Sequence, residues 1–441
     1  MVHAELILDR AVLCFCGAQG NTHFLRRHYP DRFNGRRLHQ SDLSPCKGSR
    51  VVVDEATTAT NHRPVTWWEP ALPCHPGYAF AMANIIEFSG PVLVSADEER
   101  QGLWSVDGTL TFQRPASAPD RVLDGWVLPG LVDAHCHVGL GVGGAVDEHA
   151  TLAQAQADLD AGTLLIRDCG SPSDTRWVQQ RSDLPRLIRS GRHIARSRRY
   201  LRGLGHEIEP AELVETVRKE ARDGDGWVKL VGDWIDRDVG DLAVSFPART
   251  VKDAISAAHD EGARVTAHCF AEDTIDDMLD ANIDCIEHAT GLLPRHLPRL
   301  VEQSVPIVPT LVNIATFPDI AAQAEPKFPK YADHMLRLWE RRHERVLSAF
   351  EAGVSIYAGT DAGSVIRHGR IAEEMKELHD AGLPPAAVLN AASWGARAWL
   401  GAEGISEGAS ADVVLCSEDP RRQLRTMDEL RHIVIRGNVV R

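Results

Sequence analysis

The chain has 441 residues, of which 44% are hydrophobic and 25% are charged, a composition typical of a soluble globular enzyme. Its length suits one large catalytic body with a smaller second domain. The formal net charge of −14 argues against a nucleic-acid-binding protein, because phosphate recognition needs a basic surface.

The N-terminus does not resemble a secretory signal, because Glu5 and Asp9 occupy the region where a signal peptide is cationic. No apolar run approaches the roughly 20 residues of a membrane-spanning helix. We therefore expect a cytoplasmic protein without a membrane partner. The nine cysteines include no repeated CxxC pair, which indicates reduced thiols rather than a disulfide framework.

Residues 1–81 differ in composition from the remainder of the chain. They contain four cysteines and six histidines, carry a net charge of +2, and show no sustained period of 2 or 3.6. A Cys/His-rich extension could bind a metal, but the spacings match no zinc module. We favour the alternative that this segment is a disordered or spurious leader and that the native fold begins at Met82.

Short strand-like segments follow Met82 and reappear at the far end of the chain. They span residues 85–88, 90–95, 102–106, 109–112 and 121–123 in the first group, and residues 411–416, 432–436 and 439–440 in the second. We expect the two groups, within 82–128 and 402–441, to pair into one small β-sandwich. The 273 residues between them, 129–401, approach the roughly 250 residues of a (β/α)8 barrel.

This central segment alternates strand-like and helix-like stretches. The predicted strands span residues 131–138, 163–168, 193–196, 228–231, 264–269, 285–288, 305–309 and 355–358. The predicted helices span residues 152–160, 211–222, 251–261, 273–281, 331–352 and 372–381. The alternation predicts an α/β fold with a (β/α)8, TIM-like barrel, in which catalytic residues lie at the carboxyl ends of the strands.

The first barrel strand carries the pair His135 and His137. Residues two apart on a strand face the same side, so the two imidazoles point at one spot. Such a pair suits zinc, which prefers nitrogen, sulfur and carboxylate ligands. A His-x-His pair also occurs by chance in a chain with 20 histidines, so the interpretation depends on the other strand ends.

Four later strands add residues of the same kind. From strand four to strand eight these are Lys229, His268, Glu287 with His288, and Asp361. Chance could supply any one of them, but packing does not explain the ordered set, which indicates a metal site.

These motifs resemble the amidohydrolase superfamily. Two sequence motifs are most similar to its imidazolonepropionase-like and Xaa-Pro dipeptidase-like branch: Ile286-Glu287-His288 and Gly359-Thr360-Asp361-Ala362-Gly363. The resemblance extends from about Ile85 to Arg441, and residues 407–414 are similar to the family's Pro-Gly-x-x-Ala-Asp-Leu turn. It does not cover residues 1–81.

The resemblance implies two divalent metal ions, expected to be Zn²⁺, in this barrel. The more buried metal would be bound by His135 and His137, and the second by His268 and His288. Asp361 would bind the more buried metal and accept a proton from the attacking water, while Glu287 is interpreted as a partner that orients a ligand.

Lys229 would carry a carbamate formed with carbon dioxide that bridges the two metals. A lysine ammonium buried beside divalent cations is untenable, so its charge must be removed. The alternative is that Lys229 pairs with Asp233 or Asp168 in a site with one metal.

Other residues beside these positions are interpreted as structural. We read Arg167 and Asp168 as an ion pair, and three cysteines as packing residues: Cys136, Cys169 and Cys269.

Candidate substrate-binding residues lie in loops after the strands: His206, Arg202, Arg237 and His368. His206 occupies the loop after strand three, where the family often has Gly-Gly-His. Dipeptidase relatives usually continue from the strand lysine into a Gly-Gly loop, whereas this chain has the acidic and bulky segment 232–238. Dipeptidase specificity is therefore in doubt, although a carboxylate could be held by one of four arginines: Arg237, Arg198, Arg199 or Arg202.

The sequence thus predicts a metal-dependent hydrolase of a carbon–nitrogen bond in an amide or cyclic amide of a small-molecule substrate. A mononuclear deaminase of a ring C=N bond is a rival, but relatives of that type generally lack the strand lysine. A lactonase or esterase is a second alternative, since the same activated water attacks esters. A non-catalytic scaffold fits poorly, and assembly into a homo-oligomer stays open.

Overall fold

Residues 83–441, which the computed structural model describes, alternate between short strands and helices, and the predicted leader, residues 1–81, lies outside them. The strands, β1 to β23 in chain order, are Ile85–Ser89, Val92–Leu93, Glu99–Arg100, Leu103–Val106, Thr109–Thr111, Arg121–Asp124, Trp126–Pro129, Leu131–Gly141, Gly144–Ala145, Thr163–Asp168, Arg186–Arg189, Ile194–Arg196, His206–Ile208, Trp227–Val231, Asp233–Asp236, Asp241–Val244, Arg264–Cys269, Cys285–His288, Ile307–Val308, Ala362–Ser364, Val413–Cys416, His432–Ile435 and Asn438–Val439.

The helices are amphipathic and cover the sheets. In chain order α1 to α13 are Glu148–Asp160, Arg176–Gln179, Leu213–Asp223, Ala248–Asp260, Glu272–Asp280, Leu297–Glu302, Leu311–Ile314, Phe317–Ala324, Pro329–Glu340, Arg342–Glu351, Ile371–Asp380, Pro385–Ala392 and Trp394–Trp399. Two 3-10 turns, Pro210–Glu212 and Leu424–Asp428, complete the inventory. None of the helices within residues 83–441 combines the length and the apolar character needed to cross a bilayer.

The strand groups at the two ends of the described chain meet in one sheet. Its order is β3-β2-β7-β21-β22-β23, and the expected pairing of the two groups occurs between β7 and β21, where Leu128 lies opposite Val414. A second sheet has the order β5-β4-β1-β6. Both sheets bury side chains in one hydrophobic cluster that includes Phe88, Val127 and Val413.

Two parallel sheets form the central segment, in the orders β11-β10-β8-β20 and β13-β12-β14-β17-β18-β19. Their strands are almost entirely buried, which explains their continuous apolar runs. The predicted α/β class is therefore correct. The predicted strand 355–358 appears only as a parallel bridge from Ile356 to Ile307, and the carbonyl of Ala358 accepts a hydrogen bond from Ala134 on β8.

The third predicted strand, 193–196, is present as β12, Ile194–Arg196, which pairs with β14. The sequence did not predict β11, Arg186–Arg189, which precedes it and pairs with β10. Residues 190–193 connect the two strands, and the turn at Gly191, which has φ +69°, redirects the chain there. His193 consequently lies directly before β12.

The prediction of one long helix over 331–352 was wrong, because this segment divides into α9 and α10 at Arg341. The two halves pack in different clusters. Met335 on α9 packs in a cluster with Phe270 and Phe317, whereas Val346 on α10 joins the main core. Because Met335 and Val346 are about three helical turns apart in sequence, the apolar pattern continues across the break and predicts one helix.

The acidic loop expected after Lys229 is an antiparallel hairpin, β15 and β16, with Asp233 opposite Val244 and Asp236 opposite Asp241. The hairpin follows the carboxyl end of β14 directly. In an α/β sheet of this kind the loops that follow the strands shape the functional site, so this hairpin forms part of its wall.

Candidate metal centre

The site begins at β8, where His135 and His137 are both buried and Cys136 between them packs in a separate hydrophobic cluster. The pattern follows from the strand geometry, since alternate residues face the same side. The ring centroids of the two histidines lie 5.3 Å apart. The predicted pair therefore converges.

Asp361 joins the two histidines from the segment before β20. Its Oδ1 atom lies 3.1 Å from Nε2 of His135 and 3.0 Å from Nε2 of His137. The three residues form a compact group of potential metal ligands. Asp361 has φ +57°, a left-handed conformation that is costly for a residue with a side chain and is typically kept at functional sites.

The remaining predicted residues lie against this group. Lys229 is only 3% exposed, and its Nζ atom lies 3.3 Å from Nε2 of His135. The ring of His288 lies 4.9 Å from that of His135 and 4.6 Å from that of His268, measured between centroids. The structure thus brings together all six residues predicted as ligands from five separate strand ends.

The donor set fits a divalent metal. Nε2 of His268 is buried and has no hydrogen-bond partner within residues 83–441, and Oδ1 of Asp233 lies 3.9 Å away, too far for one. Burial, followed by the positive charge of Lys229 for His268 and by the neighbouring His268 for His288, holds the pKa of both imidazoles well below its usual value. These imidazoles are therefore neutral, the form that binds metal.

Asp361 is ionised. Burial raises the pKa of its carboxyl group, but the charge of His135 and hydrogen bonds from His135 and His137 outweigh that effect and hold the pKa well below its usual value. Its second oxygen, Oδ2, accepts a hydrogen bond of 2.7 Å from Nδ2 of Asn313 on α7. Both oxygens are thereby oriented.

Partners behind the cluster fix the ring orientations. Nδ1 of His135 donates to Oε2 of Glu287 at 2.7 Å, and Nδ1 of His137 donates to the carbonyl of Gly170 at 2.7 Å. Nδ1 of His288 is hydrogen-bonded to Oγ1 of Thr310 at 2.7 Å. Each arrangement leaves Nε2 facing the centre, as expected for metal-binding histidines.

The structure corrects the interpretation of Arg167 and Asp168 as an ion pair. Arg167 donates instead to Glu287, at 2.6 Å, and Asp168 accepts from the backbone amides of Val138 and Gly170. Sequence adjacency misled the prediction, because neighbours on a strand point to opposite faces.

The other carboxylate considered for Lys229 is also engaged. Asp233 accepts hydrogen bonds from the backbone amides of Phe270 and Ala271, which fixes the loop after β17. Burial raises the pKa of Asp233 to about 7. Lys229 therefore has His135, rather than an aspartate, as its polar neighbour.

The four predicted substrate-binding residues lie outside the cluster. His206 is 29% exposed on its side chain and pairs with Glu220, with Nε2 and Oε1 2.9 Å apart. His368 is buried against Asp158 of α1, with Nδ1 and Oδ2 2.8 Å apart. Arg202 and Arg237 are exposed on loops.

Sequence reasoning missed His193 and Tyr200. His193 is buried, both of its ring nitrogens lack hydrogen-bond partners in the described part of the chain, and its centroid lies 5.9 Å from that of His137. Tyr200 lies 5.1 Å from His193 and 6.1 Å from His268, between centroids. The only sequence signal for His193 was its position as the first residue of the third predicted strand.

Known proteins resemble this chain in sequence and in fold. The model of the amidohydrolase family matches residues 126–440. Uncharacterized proteins of Mycobacterium tuberculosis and Mycobacterium bovis are 49% identical over 343 residues, which cover 77% of this chain and 92% of theirs.

Solved structures share the fold. A Xaa-Pro dipeptidase with methionine bound in its active site has a TM-score of 0.67 at 20% identity, covering 81% of this chain and 99% of that one. A putative prolidase from Bifidobacterium longum has a TM-score of 0.68 at 20% identity, with 81% and 94% covered. The ochratoxinase of A. niger has a TM-score of 0.66 at 18% identity, with 81% and 95% covered.

Proposed function

The chain belongs to the amidohydrolase family, and on that premise we propose that it hydrolyses a carbon–nitrogen bond of an amide or cyclic amide with the aid of two divalent metal ions, most simply Zn²⁺. The hydrolases among its structural neighbours support this class of bond. We further propose that the two parallel sheets form one (β/α)8 barrel with the β-sandwich beside it.

One observation carries the proposal: four imidazoles, one lysine and one carboxylate converge from separate strand ends into a single buried cluster. His135, His137 and Asp361 would hold one metal, and His268 and His288 would hold the other. Nitrogen and carboxylate donors are those that zinc prefers. The Nε2 atom of His268 is buried and has no hydrogen-bond partner within residues 83–441, which leaves it available to a metal.

Lys229 would bridge the two sets of ligands as a carbamate. The ammonium first loses one proton, and the resulting amine forms a C–N bond with carbon dioxide and releases a second proton, so a positive side chain becomes a negative carbamate with two oxygen donors. The burial of Lys229 beside His135, with Asp168 and Asp233 engaged elsewhere, supports this modification. It also disfavours the mononuclear deaminase, which needs no such bridge.

When bound, the metal ions would activate a water molecule for attack on the substrate carbon. Asp361 would accept the proton of that water on its carboxylate and transfer it to the leaving nitrogen. The hydrogen bond from Asn313 keeps the carboxylate oriented during this transfer. His193, whose ring nitrogens have no hydrogen-bond partner among residues 83–441, would orient the substrate carbonyl.

The test is turnover of a panel of amides, cyclic amides and lactones by the zinc-loaded chain and by its Asp361→Asn variant. The proposal expects amide hydrolysis that falls about a hundredfold or more in the variant, with zinc content retained. Near-full activity of the variant would refute the proton-transfer role. Hydrolysis of lactones alone would replace the amide with an ester as the substrate.

A further inference from the structure

Aromatic rings border the candidate metal centre on the side of His268. The ring centroid of Trp234 lies 5.4 Å from that of His268 and 4.8 Å from that of Tyr200. Both rings are half-buried, whereas Phe270 beneath them is 4% exposed. Tyr200 and Trp234 are therefore partly accessible aromatic residues directly beside a proposed ligand.

The backbone that carries Trp234 is held in place. The hairpin β15–β16 is docked on α9, where the amide of Tyr331 donates to the carbonyl of Gly240 at 3.1 Å. His334 connects the hairpin to α5, with Nδ1 2.9 Å from Asp241 and Nε2 3.0 Å from Glu272. A ring on such a support is positioned before a ligand arrives, which lowers the entropic cost of binding.

The two arginines nearest to Tyr200 in the chain have different partners. The guanidinium of Arg199 is paired with Asp236 on the hairpin, so a substrate carboxylate could use Arg199 only by displacing Asp236. Arg196 donates to the carbonyl of Ser245 at 3.3 Å and has no carboxylate partner within residues 83–441.

We propose that Tyr200 and Trp234 form an aromatic subsite that binds an aromatic or similarly flat apolar group next to the scissile bond, so that the substrates are neutral amides rather than dipeptides with a free carboxylate. This inference rests on the proposed function, because it needs the metal centre to fix the reacting group. Stacking against two aromatic faces favours a planar group over a methyl group.

Three hydroxamates test the subsite on the zinc-loaded full chain by titration calorimetry. All three can chelate the metal, but acetohydroxamate adds only a methyl group, phenylacetohydroxamate adds an aromatic ring, and the monohydroxamate of succinate adds a carboxylate. We expect phenylacetohydroxamate to bind about tenfold more tightly than acetohydroxamate. Succinate monohydroxamate should bind no more tightly than acetohydroxamate.

The variants Trp234→Leu and Tyr200→Leu should each remove most of the advantage of the phenyl ring, measured as the ratio of the affinities for phenylacetohydroxamate and acetohydroxamate in the same protein. Trp104→Leu is the matched control, because Trp104 lies on β4 in the separate sheet β5-β4-β1-β6 and should leave all three affinities unchanged. If one site variant does not fold, the other gives the same comparison.

The outcomes separate the subsite from the metal centre. Equal affinities for the methyl and phenyl compounds, or a phenyl advantage that survives both variants, would overturn the aromatic subsite while the hydrolase proposal stands. Tighter binding of the succinate compound would overturn the preference for neutral substrates. Failure of all three to bind would contradict the metal centre itself.

Discussion

The guanidinium of Arg167 lies 2.6 Å from Oε1 of Glu287, and neither side chain is accessible to solvent. The other oxygen of Glu287 accepts from His135, so a buried chain of contacts runs from Arg167 to a proposed metal ligand. Arg167 is itself held by the carbonyl of Ala134 and by the ring faces of Trp227 and Trp399. Metal-binding histidines are commonly oriented in this way by a second partner.

Glu287→Gln should weaken zinc binding by about ten- to a hundredfold, because the amide no longer holds His135 as a carboxylate does. It should also lower the free energy of unfolding of the metal-free protein by about 3 kcal/mol, since the charge of Arg167 is left buried and unpaired. Zinc titration against a competing chelator and urea unfolding measure the two effects.

Glu302→Gln on α6 is the control, because Glu302 is exposed and lies outside the cluster. It should change neither quantity. Zinc affinity in Glu287→Gln equal to that of the unaltered chain would show that Glu287 does not orient the ligand.

Glu374 gives a pH-dependent prediction. It is buried on α11 and accepts hydrogen bonds from the backbone amides of Leu311 and Val312, and burial raises its pKa from 4.5 to about 8. Between these two values the folded chain binds a proton that the unfolded chain has lost. The free energy of unfolding therefore falls as the pH rises through this window, by about 1 kcal/mol per pH unit from this group.

Glu374→Gln removes that titration. The difference in unfolding free energy between the variant and the unaltered chain, measured by urea unfolding at several pH values, should shift in favour of the variant from pH 4.5 to 8 and then level off. A difference that stays constant across this window would mean that Glu374 is ionised in the folded protein.

Much of the proposed ligand set could be predicted because it depends on local patterns. His135 and His137 share a strand face by periodicity alone, and His268, His288 and Asp361 end buried apolar runs. Strand ends meet at one edge of a parallel sheet, so these residues had to converge. Their role as metal ligands stays a prediction.

The missed residues depend on tertiary contacts. Arg167 and Glu287 are 120 positions apart, so no local pattern could pair them. His193 lies in the connection between β11 and β12, and hydrophobic periodicity does not predict such a connection. The sequence analysis placed Trp234 in an acidic loop and did not predict the hairpin of β15 and β16. The hairpin was missed because its turn lacks the common two-residue motif that marks such a pair in a sequence.

Element boundaries failed where neighbouring segments pack in different clusters. The buried residues of α9 and α10 continue one helical period across Arg341, so the sequence pattern conceals the division between the two helices. The sequence predicted full strands over 305–309 and 355–358, where the structure has only the short β19 and a single bridge at Ile356. The prediction was too long because the apolar runs extend beyond the residues that form hydrogen bonds.

The central claim is a two-metal centre bridged by modified Lys229, and metal content per chain tests it most directly. The chain would be purified with bicarbonate and without chelator, loaded with zinc, and analysed beside Lys229→Ala and the exposed control Lys252→Ala on α4. The account predicts about two equivalents in the unaltered chain and in the control, and one or none in Lys229→Ala. About one equivalent in all three proteins would contradict it.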